Sequence, residues 1–491
     1  MICIPVTASS NKGAIDEMKE AAKFADIVEL RIDYINSPDL ESLLKERTKP
    51  VIVTNRARRQ GGMYSGDESA RIGLLKEAIS LGAEYIDIEH DAINEIGDAG
   101  STKLIASYHN FDETPDNLLD IHSDLVKLGA HMVKLITFAK KITDNFRIFE
   151  LLCGSEFPTI SFCMGELGQI SRILSPKFGG KLVFASLAKG KESAPGQLTI
   201  DELVNVYRIG EVDKNTKVFG LLGNPVAHSR GAYLHNGAFK EKGINAVYVL
   251  FKVEDRDLVG FMEYVTKGYI NGLSVTIPHK ESVIKFLDNI DPIAEKIGAV
   301  NTVVNQDGKL SGCNTDCPAA VDALAKTLQK IASSSKEELN ESICGRNILI
   351  VGAGGSARAI AFGLNERGAN ITIANRTLQR GEMLAKEVGC LCIGYDELND
   401  VDVDVLVNTT SVGMYPNVEE SPISDCVLKK DMVVFDIIYN PPKTKLLQMA
   451  EEKGGIVLGG VEMFVRQAAL QFELFTDQDA PLELMREIVV G

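Results

Sequence analysis

The chain has 491 residues and a formal net charge of −16, with 45% hydrophobic and 24% charged residues. This length is too great for one hydrophobic core and predicts two or three domains, while the composition argues against disorder. The negative charge argues against a nucleic-acid partner, because it repels phosphate backbones.

No apolar run reaches the ~18 residues of a membrane span, which predicts a soluble protein without a membrane partner. The nine cysteines are scattered, and the pairs Cys313/Cys317 and Cys390/Cys392 are more typical of incidental spacing than of a metal site, so no metal is predicted. The odd count fits a reducing compartment. Because no Arg/Ser-rich leader precedes the first strand, we expect the cytoplasm or, after removal of a transit segment, the chloroplast stroma.

Up to about residue 210, short apolar runs alternate with helical patterns, which predicts an α/β fold with a parallel (β/α)8 barrel. The polar residues discussed next lie at or just after the ends of these runs, at the active face of such a barrel. The predicted strands are Cys3–Thr7, Ile27–Ile32, Val51–Asn55, Tyr85–Glu89, Lys103–Tyr108, Met132–Thr137, Thr159–Phe162 and Leu182–Ala185.

Lys134 lies between Val133 and Leu135, at a strand position normally taken by an apolar residue. A neutral buried lysine forms imines with carbonyl compounds, and we expect the barrel interior and nearby cations to lower its pKa from ~10.4 towards ~7. The alternative is a lysine that reaches the rim or pairs with a buried acid. His109 follows the preceding strand and is the predicted general acid/base, with a structural histidine as the alternative.

Charged residues of other strands suit an oxygen-rich anionic ligand. Glu29 and Arg31 alternate along one strand and therefore face the same side. Arg56 and Arg172 are expected at the ends of other strands. Three arginines at the mouth of a barrel suit a carboxylate with several hydroxyls, although any one alone is more typical of a surface charge.

These motifs resemble type I 3-dehydroquinate dehydratase over about residues 1–208. The resemblance implies that Lys134 forms an imine with the substrate ketone, and that His109 removes a C2 proton and helps to expel the C1 hydroxyl. It also implies that Arg172 holds the carboxylate and that Ser193 and Gln197 contact the ligand from a closing loop. The matching segments are Glu-Leu-Arg-Ile-Asp from Glu29, Ser-Tyr-His at His109, Val-Lys at Lys134, Met164–Arg172 and Ser193–Gln197.

One departure from the family pattern is Gln60, where the family usually has a glutamate before Gly-Gly. Glutamine carries no charge and cannot stabilise a protonated His109 as an acid would. We therefore expect a slower or pH-shifted dehydratase.

The polar stretch 210–217 is predicted to link the barrel to a two-domain unit. A substrate domain is expected at residues 218–330, opening with the strand Val218–Leu222 and completed by a return of residues 456–491. A Rossmann dinucleotide domain is expected at residues 344–455. Between them Ser333–Glu341 is predicted to be a surface excursion, and the last helix is predicted from about Val461 to Phe475.

A glycine-rich turn follows the apolar strand Ile348–Val351. Gly352, Gly354 and Gly355 precede a helical pattern, and in this context glycines let the backbone approach a pyrophosphate; a tight turn without a ligand is the alternative. The next strand ends in Asn375, Arg376 and Thr377. An acid here would favour NAD(H), whereas arginine suits the 2′-phosphate of NADP(H), so NADP(H) is predicted with NAD(H) as the alternative. Thr409 and Met414 are expected near the nicotinamide.

Lys280 and Asp316 are a candidate acid/base pair. Hydride transfer to a ketone leaves an alkoxide that needs a proton, and a lysine paired with an aspartate can deliver it. A surface salt bridge is the alternative.

From Val218 to the C-terminus the chain resembles shikimate dehydrogenase. The resemblance makes Lys280 and Asp316 catalytic, and a dehydratase followed by a dehydrogenase is the plant-type bifunctional arrangement, acting on 3-dehydroquinate, 3-dehydroshikimate and shikimate. It assigns Met463 to the cofactor site and substrate binding to Ser229, Thr276, Asn301, Tyr439 and Gln467. The matching segments are Gly223–Ser229, Thr276–Lys280, Ala299–Thr302, Asn314–Asp316 and Gly459–Gln467.

A second departure is Gly231, where the family pattern Ser-x-Ser-Pro has its second serine. The lost hydroxyl removes a charge-assisted hydrogen bond worth roughly 1.5–3 kcal/mol and opens space beside C1 of the substrate ring. Gly231 therefore favours quinate, which has a hydroxyl at C1, whereas Thr276 and Asn375-Arg376 favour shikimate with NADP(H). We expect shikimate to be preferred, with quinate dehydrogenase as the alternative.

Overall fold

The computed structural model describes residues 1–331 and 342–490, so the predicted excursion Ser333–Glu341 lies outside the described residues. The chain divides into two compact units. The first comprises Met1–Val218 and Asn245–Tyr264, and the second comprises Phe219–Ile244 and Val265–Gly491. The domains expected at residues 218–330 and 344–455 are not separated by this division and remain a prediction.

Eight parallel strands form the core of the first unit, in the order β7-β6-β5-β4-β3-β2-β1-β8. The backbone amide of Lys181, just before β8, donates to the carbonyl of Thr159 in β7 at 3.0 Å, so the barrel is nearly closed. The predicted barrel and all eight predicted strands are confirmed. They are β1 Ile2–Val6, β2 Ile27–Arg31, β3 Val51–Thr54, β4 Tyr85–Glu89, β5 Lys103–His109, β6 Met132–Phe138, β7 Thr159–Met164 and β8 Val183–Phe184.

The barrel interior changes from apolar to polar along each strand. Ile27, Ile52 and Ile105 belong to one buried apolar cluster near the starts of their strands. Because successive side chains of a strand face opposite sides, residues two and four positions later face the same interior. Glu29 and Arg31 therefore lie above Ile27, in the upper, polar part of the barrel.

The outer face of the barrel explains the orientation of Lys134. Its neighbours Val133 and Leu135 belong to an apolar cluster that also contains Ile148 and Leu152 of a surrounding helix. Since both neighbours point outward, Lys134 must point inward. The helices of this part are α1 Asn11–Ala21, α2 Leu40–Lys45, α3 Glu68–Ser80, α4 Leu118–Lys127, α5 Asp144–Gly154 and α6 Gln169–Leu174.

The remainder of the chain continues the α/β alternation, and β10 with most of α8 is counted to the first unit. Its strands are β9 Lys217–Gly223, β10 Ala246–Lys252, β11 Gly272–Val275, β12 Asn289–Ile290, β13 Thr302–Gln306, β14 Lys309–Cys313, β15 Asn347–Val351, β16 Asn370–Ala374, β17 Leu391–Ile393, β18 Val405–Asn408, β19 Val433–Asp436 and β20 Ile456–Leu458. Its helices are α7 Gly231–Glu241, α8 Leu258–Thr266, α9 Pro292–Ile297, α10 Asp316–Ile331, α11 Gly355–Glu366, α12 Leu378–Val388, α13 Lys445–Glu452, α14 Gly460–Thr476 and α15 Leu482–Val490.

Two sheets organise the second unit. In the first, β11 pairs in parallel with β9 and antiparallel with β13, and β14 continues the sheet to β12. The second has the order β17-β16-β15-β18-β19-β20 with all pairs parallel, the strand order of a dinucleotide-binding fold. The predicted Rossmann fold is thereby confirmed.

The C-terminal segment contacts the first of these sheets. The side chain of Gln471 in α14 accepts a hydrogen bond from Ser274 of β11 at 2.7 Å and donates to the carbonyl of Asn301 at 3.1 Å. The helix α15 after it was not predicted. Among the described residues, no helix combines the length and apolar character needed to cross a bilayer.

Candidate active sites

One cavity at the polar end of the barrel collects the residues predicted for the first site. They come from the strands β2, β5 and β6, the segment after β3, the helix α6 and the loop after β8, so only the folded barrel brings them together. The cavity is lined by Glu29, Arg31, Arg56, Gln60, His109, Lys134, Arg172, Ser193 and Gln197, with Phe162 and Phe184 among its apolar walls.

Lys134 is buried and contacts two carboxylates. Its Nζ lies 2.8 Å from Asp87 Oδ2 and 3.2 Å from Glu29 Oε1, and 4.4 Å from the ring centre of Phe184. Burial lowers the pKa of this lysine, but Asp87 and Glu29 raise it by more, so the pKa lies above its ordinary value. The expectation of a lowered lysine pKa is therefore wrong for the barrel without substrate, because two acids outweigh burial and the nearby arginine.

Asp87 joins Lys134 to Arg56. Its Oδ1 accepts a hydrogen bond from Arg56 at 2.6 Å. Burial raises the pKa of Asp87, but the positive charges of Arg56 and Lys134 lower this pKa by more, so Asp87 stays ionised. Glu89, two residues on in β4, lies 3.4 Å from Arg56. Neither acid was predicted as a site residue. The pattern Asp-Ile-Glu in β4 nevertheless places two charged side chains on the same face of a buried strand, as Glu-Leu-Arg does in β2.

The three arginines differ in their partners. Arg31 is bonded to both carboxylate oxygens of Asp33, at 2.9 and 2.8 Å, and Arg56 to Asp87 and to Ser107. Arg172 is 1% exposed and has no acidic partner among the described residues; its Nε is unbonded, and its guanidinium lies 4.2 Å from the ring centre of Phe162. Burial lowers its pKa to about 9. This cation is the one that a substrate carboxylate would neutralise.

Arg172 also corrects a prediction about local structure. It was expected at the end of a strand, but it lies in α6, which begins five residues after β7 ends. The glycines of Met164-Gly-Glu-Leu-Gly make the tight connection: Gly165 has φ +84, and a Cβ on Gly168 would come within 2.4 Å of the carbonyl oxygen of Cys163. This turn places Arg172 over the cavity.

His109 and Gln197 also present unbonded atoms. His109 Nδ1 and Gln197 Nε2 are buried and have no hydrogen-bond partner among the described residues. Gln197 Oε1 accepts from the backbone amide and the hydroxyl of Ser193, at 2.7 and 3.1 Å, which leaves Nε2 free for a ligand. Burial and the charges of Arg56 and Lys134 hold the pKa of His109 well below its usual value, so the ring is a neutral base.

Gln60 lies beside His109 as expected. Its Oε1 accepts a hydrogen bond from the backbone amide of His109 at 3.1 Å. This uncharged side chain is therefore bonded to the backbone of His109 and lines the same cavity as its ring.

In the second unit, Lys280 Nζ lies 2.6 Å from Asp316 Oδ2. Both side chains are largely buried, at 19% and 12% exposure, which argues against the alternative of a surface salt bridge. Asp316 begins α10, and the carbonyl of Lys280 accepts a hydrogen bond from Val300 at 2.8 Å. The pair is thus fixed from two sides.

The predicted substrate residues fall into two groups. Ser229 Oγ accepts from the amide of Gly231 at 3.1 Å, and Tyr439 stacks on Phe464 at 4.3 Å between ring centres, while Gln467 donates to the carbonyl of Phe464 at 3.0 Å. Thr276 follows β11 directly. Asn301 is turned towards the protein: its Nδ2 donates to the hydroxyl of Thr315 at 3.0 Å, and its Oδ1 accepts from the backbone amide of Thr315 at 2.8 Å. Gln471, which was not predicted, bonds the backbone of Asn301.

The glycine-rich turn fits a dinucleotide. Gly352 has φ +115, and a Cβ there would meet the hydroxyl of Thr409 at 2.5 Å, so only glycine fits. Nothing lies within 4 Å of a Cβ built on Gly354, which caps α11, and a Cβ on Gly355 would be 4.0 Å from Lys280 Cδ. The turn therefore combines an open helix N-terminus with a position beside the acid/base pair.

The remaining predicted cofactor residues have different environments. Arg376 and Thr377 are exposed after β16, and Asn375 Nδ2 donates to the carbonyl of Thr377 at 2.8 Å. Met414 is exposed, whereas Met463 is buried in the core with Val433 and Phe435. No three His, Cys, Asp or Glu side chains among the described residues are grouped as metal ligands.

The two sites define a class of protein. It is a two-part enzyme, in which a parallel barrel with a buried lysine in its cavity is joined to a dinucleotide-dependent oxidoreductase. A family model for type I 3-dehydroquinase matches residues 2–214, and one for the shikimate dehydrogenase substrate binding domain matches 221–303. Models for shikimate / quinate 5-dehydrogenase and for the shikimate 5′-dehydrogenase C-terminal domain match 333–445 and 460–490.

Over its whole length the chain is 41% identical to the chloroplastic bifunctional 3-dehydroquinate dehydratase/shikimate dehydrogenase of Arabidopsis thaliana, of which it covers 84%. The chain belongs to this bifunctional family, as the resemblance predicted.

Other relatives match only the second half of the chain. The NADP(+)-type shikimate dehydrogenase of Methanopyrus kandleri is 45% identical over 57% of this chain and 97% of its own. The shikimate 5-dehydrogenase of Thermus thermophilus, solved with NADP(H) and shikimate, is 32% identical with a TM-score of 0.50, covering 56% of this chain and 99% of its own.

Proposed function

We propose that this chain dehydrates 3-dehydroquinate to 3-dehydroshikimate in the barrel and reduces 3-dehydroshikimate to shikimate with NADPH in the second unit. The observation that carries the first step is one cavity lined by a buried lysine, a neutral histidine and an arginine that lacks an acidic partner among the described residues. The observation that carries the second is the Lys280–Asp316 pair next to the glycine-rich turn.

In the barrel, Arg172 binds the substrate carboxylate and Gln197 Nε2 a ring hydroxyl, which directs the ketone to Lys134. Lys134 must lose a proton before it attacks, and neutral His109 lines the same cavity as a base. Attack on the ketone and loss of water give a cationic imine. The contacts with Asp87 and Glu29 that raise the pKa of the ammonium also stabilise this cation, so they favour the intermediate.

The cationic imine acidifies the adjacent C2–H bond, since it accepts the electron pair that the departing proton leaves behind. His109 takes the C2 proton, and the electron pair moves back to form the double bond as the C1 hydroxyl leaves with a proton from His109. Hydrolysis of the imine then releases 3-dehydroshikimate and frees Lys134. Every proton that His109 accepts at C2 is returned to the leaving water.

In the second unit, a bound NADPH supplies the hydride. Lys280 donates a proton to the ketone oxygen, and Asp316 holds the lysine in position at 2.6 Å. The substrate carboxylate is held near Ser229, with Thr276, Tyr439 and Gln467 as further contacts. Asn301 supports this site through Thr315. Gly352, Gly354 and Gly355 would hold the pyrophosphate of a bound NADP(H), and Arg376 with Asn375 and Thr377 would bind its 2′-phosphate. Thr409, Met414 and Met463 would be the residues on the nicotinamide side.

The partners are these small molecules alone, without nucleic acid or membrane. The Arabidopsis relative is named chloroplastic, which supports the chloroplast stroma, with the cytoplasm as the alternative.

A coupled assay tests both activities. The full chain with 3-dehydroquinate should first produce the absorbance of the conjugated enoate and then consume NADPH, with NADH a poorer reductant. Lys134→Ala should abolish the enoate signal while 3-dehydroshikimate is still reduced, and Lys280→Met should do the reverse. Retention of both activities in either variant would remove the corresponding assignment.

Quinate dehydrogenase is the second candidate function, and Gly231 is the observation that favours it. Both the Arabidopsis and the Methanopyrus relative bear the name shikimate dehydrogenase, which favours shikimate. The two are separated by kcat/KM for shikimate and quinate in the wild type and in Gly231→Ser. We expect a higher value for shikimate and a loss of residual quinate oxidation in the variant. NADPH consumption with 3-dehydroquinate but without enoate formation would reverse the ranking.

A further inference from the structure

Arg358 connects the helix of the glycine-rich turn to the substrate domain. It lies in the first turn of α11, where its backbone amide donates to the carbonyl of Gly354 at 3.0 Å. Its side-chain Nε donates to the carbonyl of Ile297 at 2.6 Å, and its Nη1 lies 2.6 Å from Glu387 Oε2. Ile297 is the last residue of α9. The guanidinium of Arg358 in α11 thus caps the C-terminal end of α9.

The segment that Arg358 holds is bonded to the reductase acid/base pair. Gly298 ends α9 with φ +68, and the chain continues into Ala299 and Val300. The amide of Val300 donates to the carbonyl of Lys280 at 2.8 Å, and the side-chain amide of Asn314, two residues before Asp316, donates to the carbonyl of Ala299 at 2.9 Å. A displacement of this segment would therefore move Lys280 and Asp316 together.

The packing around Arg358 is tight enough to transmit such a displacement. Ile297, Ala299, Cys317 and Ala359 form one buried apolar cluster between α9, α10 and α11. A Cβ on Gly363 of α11 would come within 2.6 Å of Cys317 Sγ in α10, which shows how closely the two helices approach. The helix with the glycine-rich turn and the helix that begins at Asp316 thus share one packed interface, and Arg358 bonds across its edge.

We propose that Arg358 is a positioning residue for the reductase step, setting the distance between the glycine-rich turn and Lys280 by bonding α11 to the end of α9. The proposal rests on the proposed roles of the turn and of the Lys280–Asp316 pair. Reactions between two bound groups depend steeply on their geometry, and a misplacement of about 1 Å costs roughly a hundredfold in rate. Arg358 therefore acts on turnover more than on cofactor affinity.

The test compares Arg358→Ala, Arg358→Lys and Arg367→Ala in the full-length protein. Arg367 is the matched control, because it lies at the other end of the same helix, as the C-terminal cap of α11. Its ion pair is with Asp322 at 3.6 Å and does not involve α9. With 3-dehydroshikimate and NADPH, Arg358→Ala should lower kcat about 10- to 100-fold with KM for NADPH changed less than about threefold. The deuterium isotope effect on hydride transfer should rise, Arg358→Lys should recover part of the rate, and Arg367→Ala should behave as wild type.

Calorimetric titration with NADP+ provides a readout independent of turnover, and the dissociation constant should change less than threefold in Arg358→Ala. A tenfold weaker NADP+ affinity with unchanged kcat would make Arg358 a cofactor-binding residue and overturn the proposal. Equal losses in Arg358→Ala and Arg367→Ala, with an unchanged isotope effect, would make it merely structural and also overturn it.

Two further results keep the test decisive. Reduction of 3-dehydroshikimate by the wild type is measured first, so a failure of the proposed function is seen separately. If Arg358→Ala does not fold, Glu387→Gln weakens the support of the guanidinium and leaves the bond to Ile297 in place. It should lower kcat about two- to fivefold and raise the isotope effect, and wild-type values for both would contradict the proposal.

Discussion

Replacing Arg172 by methionine should greatly lower dehydratase activity and yet not destabilise the barrel. Arg172 is almost completely buried, its Nε is unbonded, and its pKa is lowered to about 9 by burial. A base whose pKa is depressed in the folded state costs stability at every pH at which it is charged, including pH 7. At about 1.4 kcal/mol per pKa unit, this cost is on the order of 5 kcal/mol.

The loss of activity follows from the same geometry. A carboxylate bound by a buried guanidinium gains two charge-assisted hydrogen bonds of roughly 1.5–3 kcal/mol each. Their removal should lower kcat/KM for 3-dehydroquinate about 100- to 10,000-fold. The reductase activity of the same chain should not change, which makes it an internal control.

Arg71→Met is the matched control for stability. Arg71 is also completely buried, at 0% exposure, but it is bonded to Glu89 at 2.6 Å and to the carbonyl of Asn55 at 2.8 Å. Its loss leaves a buried carboxylate with fewer partners and should cost about 3–5 kcal/mol. Scanning calorimetry measures the Tm of the barrel in both variants. The unfolding transition of the barrel is identified in the wild type as the one that 3-dehydroquinate shifts to higher temperature. The reasoning is refuted if Arg172→Met lowers this Tm as Arg71→Met does, or if its kcat/KM falls less than tenfold.

Three further predictions concern the pH profile, the cofactor and the turn. Gln60→Glu should raise dehydratase turnover and move the acid limb of the kcat/KM profile towards pH 6.5. Burial now holds the pKa of His109 well below that value, and a nearby carboxylate would favour the protonated ring. An unchanged pH profile would contradict this. Arg376→Ser should lower kcat/KM for NADPH about 10- to 100-fold and leave NADH unaffected, whereas the exposed Arg380→Ser should change neither. Gly352→Ala should abolish NADP+ binding by calorimetry while the dehydratase remains active, since the new Cβ would lie 2.5 Å from Thr409 Oγ1.

The barrel strands could be predicted because a parallel barrel buries both faces of each strand, which leaves continuous apolar runs in the sequence. The inward orientation of Lys134 could be predicted for the same reason, since its two neighbours are apolar. Its pKa could not. Asp87 and Glu29 are 47 and 105 residues away in the chain, and only the closed barrel brings both carboxylates to the amine.

Arg172 and the C-terminal region show two other limits. Arg172 was expected on a strand because its motif follows β7, but the connection turns within five residues and places the side chain on a helix. Nothing in its local sequence indicates that it lacks an acidic partner, which is a property of the whole cavity. The helix α15 follows α14 after only five residues, and its nine residues were too short to stand out as an amphipathic pattern.

Borohydride reduction in the presence of 3-dehydroquinate tests most directly whether Lys134 is the imine-forming nucleophile. Peptide mapping by mass spectrometry should find one stable adduct on Lys134, with loss of dehydratase activity and retention of reductase activity. Lys134→Ala should give no adduct. An adduct on another lysine, or none in the wild type while 3-dehydroquinate is still dehydrated, would contradict the mechanism.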